Sequence, residues 1–116
     1  MQIVAYCDDV GVEVAGSKNG AYTTKRIGAI YKRMGVREGF PDLSVIRVGG
    51  RGEPGLYVEI KAPGRSLRPA QVDWQRRLRN QGYVCEMVKS LDAFKQLLKK
   101  YINGTGVPFV HHVAIE

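Results

Sequence analysis

Asp42, Glu59 and Lys61 are two carboxylates and an amine that the sequence places for convergence. Asp42 follows Pro41 in "GFPDLSVIRV", and Glu59 and Lys61 stand two apart in "GLYVEIKA". If both stretches are strands, period-two alternation puts Tyr57, Glu59 and Lys61 on one face and Leu56, Val58 and Ile60 on the other. Asp42 shares a face with Ser44 and Ile46, and an antiparallel pairing of suitable register sets it beside Glu59. Adjacent carboxylates raise one another's pKa unless a cation lies between them. A hard divalent ion with oxygen ligands, Mg2+ above all with Mn2+ as a substitute, suits such a pair. A lysine next to it could orient a water or stabilise charge developing on an attacked phosphorus. Taken alone, Glu59 and Lys61 read as a solvated surface pair worth ~0 to 1 kcal/mol. The combination with Asp42 at the head of a paired strand favours chemistry.

The elements that would hold these residues follow from spacing and breakers. The two Val, Ile, Leu and Tyr-rich runs are separated by "GGRGEPG", which reads as a hairpin turn with extra glycine. Ahead of them, Thr23 or Thr24 caps a helix whose Ile27, Ile30, Tyr31 and Met34 form one apolar stripe, with Gly35 as its stop. After them, Pro69 suits a first helical position, and "PAQVDWQRRLRNQG" puts Gln71, Trp74 and Leu78 on one face. "YVCEMV" is a short strand, and Ser90 caps a last helix with Leu91, Phe94, Leu97, Leu98 and Tyr101 on its buried side. The first ten residues read equally as a short helix or a strand. The order helix, strand, strand, helix, strand, helix predicts an α/β sandwich, a small mixed β-sheet flanked by helices, because the last strand can join only by a crossover.

At 116 residues the chain fits one domain, read as residues 1–116 with a core over 17–102 and an apolar tail over 103–116. The formal charge of +7 favours polyanionic partners, nucleic acid before an anionic membrane surface. No apolar run reaches the roughly 18 residues of a membrane span, and "MQIVAYCDDV" lacks the features of a signal peptide, which predicts a cytoplasmic protein. Cys7 and Cys85 suit reduced core thiols. His111 and His112, as neighbours in an extended chain, point to opposite faces, so a solvated tail is the simpler reading than a metal site.

"GFPDL", "YVEIKAPG" and "LRPAQVDWQRRLRNQGYVCEMVKS" together resemble, in order and spacing, the virus-type replication-repair nuclease (VRR-NUC) domain of the PD-(D/E)xK nuclease superfamily. The ordered triple motif is far more specific than any one of its parts. The resemblance implies a restriction-endonuclease-like sandwich, Asp42 and Glu59 as metal-binding acids, the Ile60 carbonyl as a further metal ligand, Lys61 as the catalytic lysine and Gln71 as the family's helix glutamine. On its own residues Gln71 reads equally as a polar helix-start residue bonded to backbone. Arg68 stands where the family usually has serine, leaving the cap to Ser66 or weaker, and Ala70 where an acid is common. Many members also carry a metal-binding glutamate on an N-terminal helix. Here Asp8, Asp9 and Glu13 are the only acids near such a position, and Gln2 matches a frequent glutamine.

The resemblance further implies an Mg2+-dependent, structure-selective endonuclease for branched DNA such as four-way junctions or flaps, a homodimer, a role in DNA repair, and a phage or bacterial setting. Lys25, Arg26, Lys32, Arg33, Arg37, Arg51 and Arg65 would supply phosphate contacts, which bind without sequence choice. Two other readings stand beside it: a non-catalytic or partner-dependent nucleic-acid-binding module with a nuclease fold, and a sequence-specific endonuclease, for whose base-reading loops little chain remains.

Overall fold

The computed structural model describes residues 2–17 and 24–110. Its elements are α1 (Gln2–Val10), β1 (Val14–Gly16), α2 (Lys25–Arg33), β2 (Leu43–Val45), β3 (Leu56–Ile60), α3 (Pro69–Asn80), β4 (Val84–Val88) and α4 (Leu91–Asn103). The sheet runs β1-β2-β3-β4, antiparallel at the first two pairings and parallel at β3–β4, with α3 as the crossover. This is the mixed α/β sandwich that the order of elements predicts.

Alternation in β3 divides the layers. Leu56 and Val58 are fully buried and join Phe94, Leu98 and Tyr101 of α4 and Ile3 and Cys7 of α1 in one core. Each such side chain contributes about 1.5–3 kcal/mol through burial. Tyr57 and Glu59 face the other way, toward α3. The ends of α4 follow from its sequence: Ser90 Oγ accepts the Ala93 N–H at 3.0 Å, and Gly104 closes the helix at φ 64°. Buried Tyr101 donates its hydroxyl to the carbonyls of Arg47 (2.6 Å) and Glu53 (3.2 Å), tying α4 to the β2–β3 connection.

Several expectations change in detail. The ambiguous N-terminus is a helix, because Ile3 and Cys7, four apart, both reach the core. A strand that the sequence does not announce, β1, pairs at the sheet edge, Val14 with Val45 and Gly16 with Leu43. The core therefore begins well before residue 17, and it also takes in Phe109 from the expected tail, whose ring lies 6.4 Å from that of Tyr101. The β2–β3 connection is longer than a tight hairpin turn: β2 ends at Val45, and Ile46 and Val48 are exposed. Helix α2 forms with its expected cap, Thr24 Oγ1 accepting from Ile27 N at 3.2 Å. Its stripe, however, is not buried: Ile27, Ile30 and Met34 are 42%, 38% and 65% exposed. Periodicity gives a helix a common face but not a cover for it, and α1, α3 and α4 already occupy both sides of the sheet. Cys7 and Cys85 are buried free thiols, and burial pushes Cys85 up to about 12, far from a reactive range. His111 and His112 lie outside the described residues.

Candidate active site

The approach to β2 explains the "GFPD" stretch. Gly39 holds φ 83° against the first turn of α3, where a Cβ would sit 2.6 Å from the Ala70 backbone. Only glycine meets both demands. Phe40 then packs edge to face on Tyr57 (5.5 Å) and Trp74 (5.1 Å), and Trp74 Nε1 donates to the Glu38 carbonyl at 3.0 Å. Pro41 is buried, and the chain enters β2 with Asp42 fixed. Asp42 Oδ2 accepts the Ile60 N–H at 2.9 Å, and its carbonyl accepts the Ser17 N–H at 2.9 Å. The pairing of Leu43 with Val58, continued by one rung, sets Asp42 opposite Glu59. This is the register that convergence requires.

Glu59 is 3% exposed. Its Oε2 accepts from Gln71 Nε2 at 2.6 Å, while Oε1 is buried with no hydrogen-bond partner. Burial, reinforced by the negative charge of Asp42, pushes the Glu59 carboxyl up to about 7; Lys61, the Asp42 backbone N–H and Arg68 pull the other way without prevailing. An orphaned carboxylate oxygen at a strand position opposite a second acid could contribute to a donor set for a cation. With two acids it matches Mg2+, which commonly takes one or two carboxylates and completes its shell with water and substrate phosphate. Among the described residues no group of three or more His, Cys, Asp or Glu converges. Helix α1 does reach the cleft of about 440 Å3 beside Asp42 and Ile60, but the residue it contributes there is Val4; Asp8, Asp9 and Glu13 are exposed elsewhere.

Gln71 unites the two readings its sequence position allows. Its Oε1 accepts the Arg68 N–H at 2.8 Å, so it caps α3 from the third helical position while its amide nitrogen holds Glu59. Arginine offers no acceptor, so only this half of a capping box forms, and Ser66 is not needed. Gln75, one turn on, is also buried against the sheet side; sequence reading passed over it, although its i, i+4 spacing from Gln71 is the signal. Arg68, whose charge reaches Glu59, was likewise read only as a poor cap.

Lys61 lies just past β3, half-buried, its N–H bonded to the Val88 carbonyl at 3.0 Å, so the β3–β4 ladder still anchors it. Ile60 closes β3 and lines the Asp42 cleft. Lys25, Arg26, Lys32 and Arg33 are exposed on α2, and Arg37 just beyond it, its Nη1 donating to the Lys32 carbonyl at 2.8 Å. Arg65 is exposed in the β3–α3 connection, next to the strand end that carries Lys61. Arg51 belongs to the β2–β3 connection, at the end of the strands away from Asp42 and Glu59, where its Nη2 donates to the Gly106 carbonyl at 2.8 Å.

The comparison of the sequence with family profiles decides the assignment: the VRR-NUC domain matches residues 7–92, a span that contains Asp42, Glu59, Lys61 and Gln71. The chain belongs to the VRR-NUC family. A solved structure of a VRR_NUC domain protein is similar at 34% identity and a TM-score of 0.60, over 70% of this chain and 66% of that one. The VRR-NUC chain described here thus spans just under two thirds of that relative's length. A search of curated proteins gives no match. The fold is of nuclease type, and among the described residues no helix is long and apolar enough to cross a membrane.

Proposed function

We propose that this protein is an Mg2+-dependent endonuclease that hydrolyses phosphodiester bonds of branched DNA, four-way junctions or flaps. The observation that carries the reading is Glu59: a buried acid with one oxygen held by Gln71 and the other unpartnered, opposite Asp42 and beside Lys61. Asp42, Glu59 and the Ile60 carbonyl would hold the ion, and the chemistry it supplies when bound is Lewis-acid stabilisation of charge on the attacked phosphate. Lys61 contributes a positive charge on a rigid strand end, where it orients the attacking water and favours its deprotonated form. Gln71 keeps Glu59 from swinging away, and α2 with Arg37 and Arg65 supplies sequence-independent phosphate contacts.

The test is cleavage of an end-labelled four-way junction, a flap and a linear duplex with Mg2+, with Mn2+ and with EDTA. Metal-dependent cutting of the branched substrates is expected, with the linear duplex spared. Salt-sensitive binding of DNA with no cutting under any metal would instead select a binding module with a nuclease fold.

The protein is further proposed to act as a homodimer, since a two-fold arrangement of two centres suits a junction with the same symmetry. The exposed Ile27 and Ile30 of α2 offer apolar surface for assembly. Light scattering at micromolar concentration should report twice the chain mass, and a monomer would remove the dimer.

A further inference from the structure

A second cleft adjoins the carboxylate site and has no part in the chemistry above. It encloses about 280 Å3 and is lined chiefly by Met34, Val36, Phe40 and Trp74, with Arg37 and Ser17 at its sides. Among the described residues no acidic side chain lines it. Three links tie it to the site. Ser17 lines this cleft and the Asp42 cleft alike, and its N–H is bonded to the Asp42 carbonyl. Phe40 precedes Asp42 by two residues. Trp74 follows Gln71 by three, so it lies roughly 5 Å further along the axis of α3.

We propose that this cleft receives a single unpaired nucleobase from the strand whose backbone crosses the Asp42–Glu59 site. The inference rests on the branched-DNA reading for the identity of the strand. The walls suit a planar heterocycle: aromatic and aliphatic side chains that offer dispersion and stacking but little hydrogen-bond choice, which accepts any base. In a paired duplex each base is stacked on both faces and is not offered to such a wall, whereas a branch point can present an unpaired one. The charges around it suit the flanking phosphates. Arg37 is fixed at the rim through Nη1 to the carbonyls of Lys32 (2.8 Å) and Val36 (3.3 Å), whereas the Arg77 guanidinium, 5.0 Å from the centre of the Trp74 ring, is already paired with Asp73 at 2.8 Å. Lys32 and Arg33 crowd the last turn of α2 just before Met34. Met34 is 65% exposed at the mouth, an apolar side chain amid cations, as at a surface that closes over a partner. The cleft therefore gives a physical source of structure selectivity: the nuclease reads the availability of an unstacked base rather than its identity.

Trp74 is the sole tryptophan of the chain and reports on its own surroundings. The protein is titrated in EDTA with a flap carrying an unpaired thymidine at the branch point, and with the same flap carrying an abasic residue there. Tryptophan fluorescence and affinity are followed together. The base-bearing flap is expected to quench Trp74 and to bind about 5- to 100-fold more tightly than the abasic one, the range that stacking of one base on an aromatic wall supplies. Met34→Glu, at an exposed position, should leave folding in place and abolish that difference, the added negative charge weakening both flaps alike. Equal affinity and equal quenching for the two flaps, or a difference that survives Met34→Glu, would overturn the proposal. So would a Met34→Glu protein whose change is in oligomeric state alone, since the cleft would then be a contact between copies. Because the readout needs no cleavage, an inactive protein that tells base from abasic sinks the nuclease reading and spares this one. An active nuclease that does not tell them apart does the reverse, and no binding of either flap sinks both.

Discussion

Replacing Lys61 by alanine is expected to lower single-turnover cleavage of a four-way junction by roughly 100- to 1,000-fold, the loss typical when one fixed charge is removed from a developing transition state. Binding of the junction in EDTA should change little, because affinity comes mostly from phosphate contacts spread over several cations. Lys61 earns this role by placement. Its backbone is held to Val88 across the β3–β4 ladder at 3.0 Å, so the ammonium leaves a rigid strand end two residues from Glu59. Arg68 also sends positive charge toward Glu59, yet it cannot substitute, because its backbone belongs to the start of α3 and its guanidinium is a broad planar fork rather than the compact point charge of an ammonium. For the same reason Lys61→Arg should fail to restore the rate. A Lys61→Ala protein that cuts as fast as the parent would place the chemistry elsewhere, and one that loses binding in EDTA to the same degree would make Lys61 a phosphate contact only.

What the sequence conveyed about this site, and what it withheld, divides along physical lines. The alternation in "LYVEI" foretold that Glu59 and Val58 part to opposite faces, since a strand has no other option. The meeting of Asp42 and Glu59 depended on the β2–β3 register, which alternation does not set, and the edge strand β1 was equally hidden, because the three residues Val14–Gly16 are too few for a periodic signal. Gln71 was legible as sheet-facing from its spacing to Leu78, but its double duty, capping Arg68 and holding Glu59, depends on how far β3 stands from α3, a tertiary distance. Glu53 is buried by a partner far along the chain, the Tyr101 hydroxyl on its carbonyl, beside a local bond from the Arg51 N–H to its carboxylate, and the distant half of that arrangement leaves no sequence signal. The α2 stripe is the converse case. Its pattern is plain, and its exposure is invisible to any argument from one helix alone.

Glu59→Gln is expected to abolish metal-dependent cleavage and, in EDTA at pH 8, to leave the protein more stable than the parent. The folded protein holds the Glu59 carboxyl at about 7, raised chiefly by burial and then by Asp42, whereas an unfolded chain returns it to about 4.5. A raised carboxyl pKa means that the fold prefers the protonated form. The stability of that preference is complete below about pH 4.5 and is lost as pH climbs through about 7. Across this window the parent should therefore lose about 1–3 kcal/mol relative to the glutamine variant, which has nothing to titrate there. The difference between the two, read as melting temperature against pH, should widen by several degrees from pH 5 to pH 8. Glutamine's side-chain oxygen can go on accepting from Gln71 Nε2, so the substitution removes charge at nearly constant volume. Mg2+ should then act with opposite consequence on the two proteins: it stabilises the parent at pH 8 by mass action and does little for the variant. A parent whose melting temperature tracks that of Glu59→Gln at every pH, with and without Mg2+, would mean that the fold does not raise the Glu59 carboxyl and that the orphaned oxygen marks no cation site.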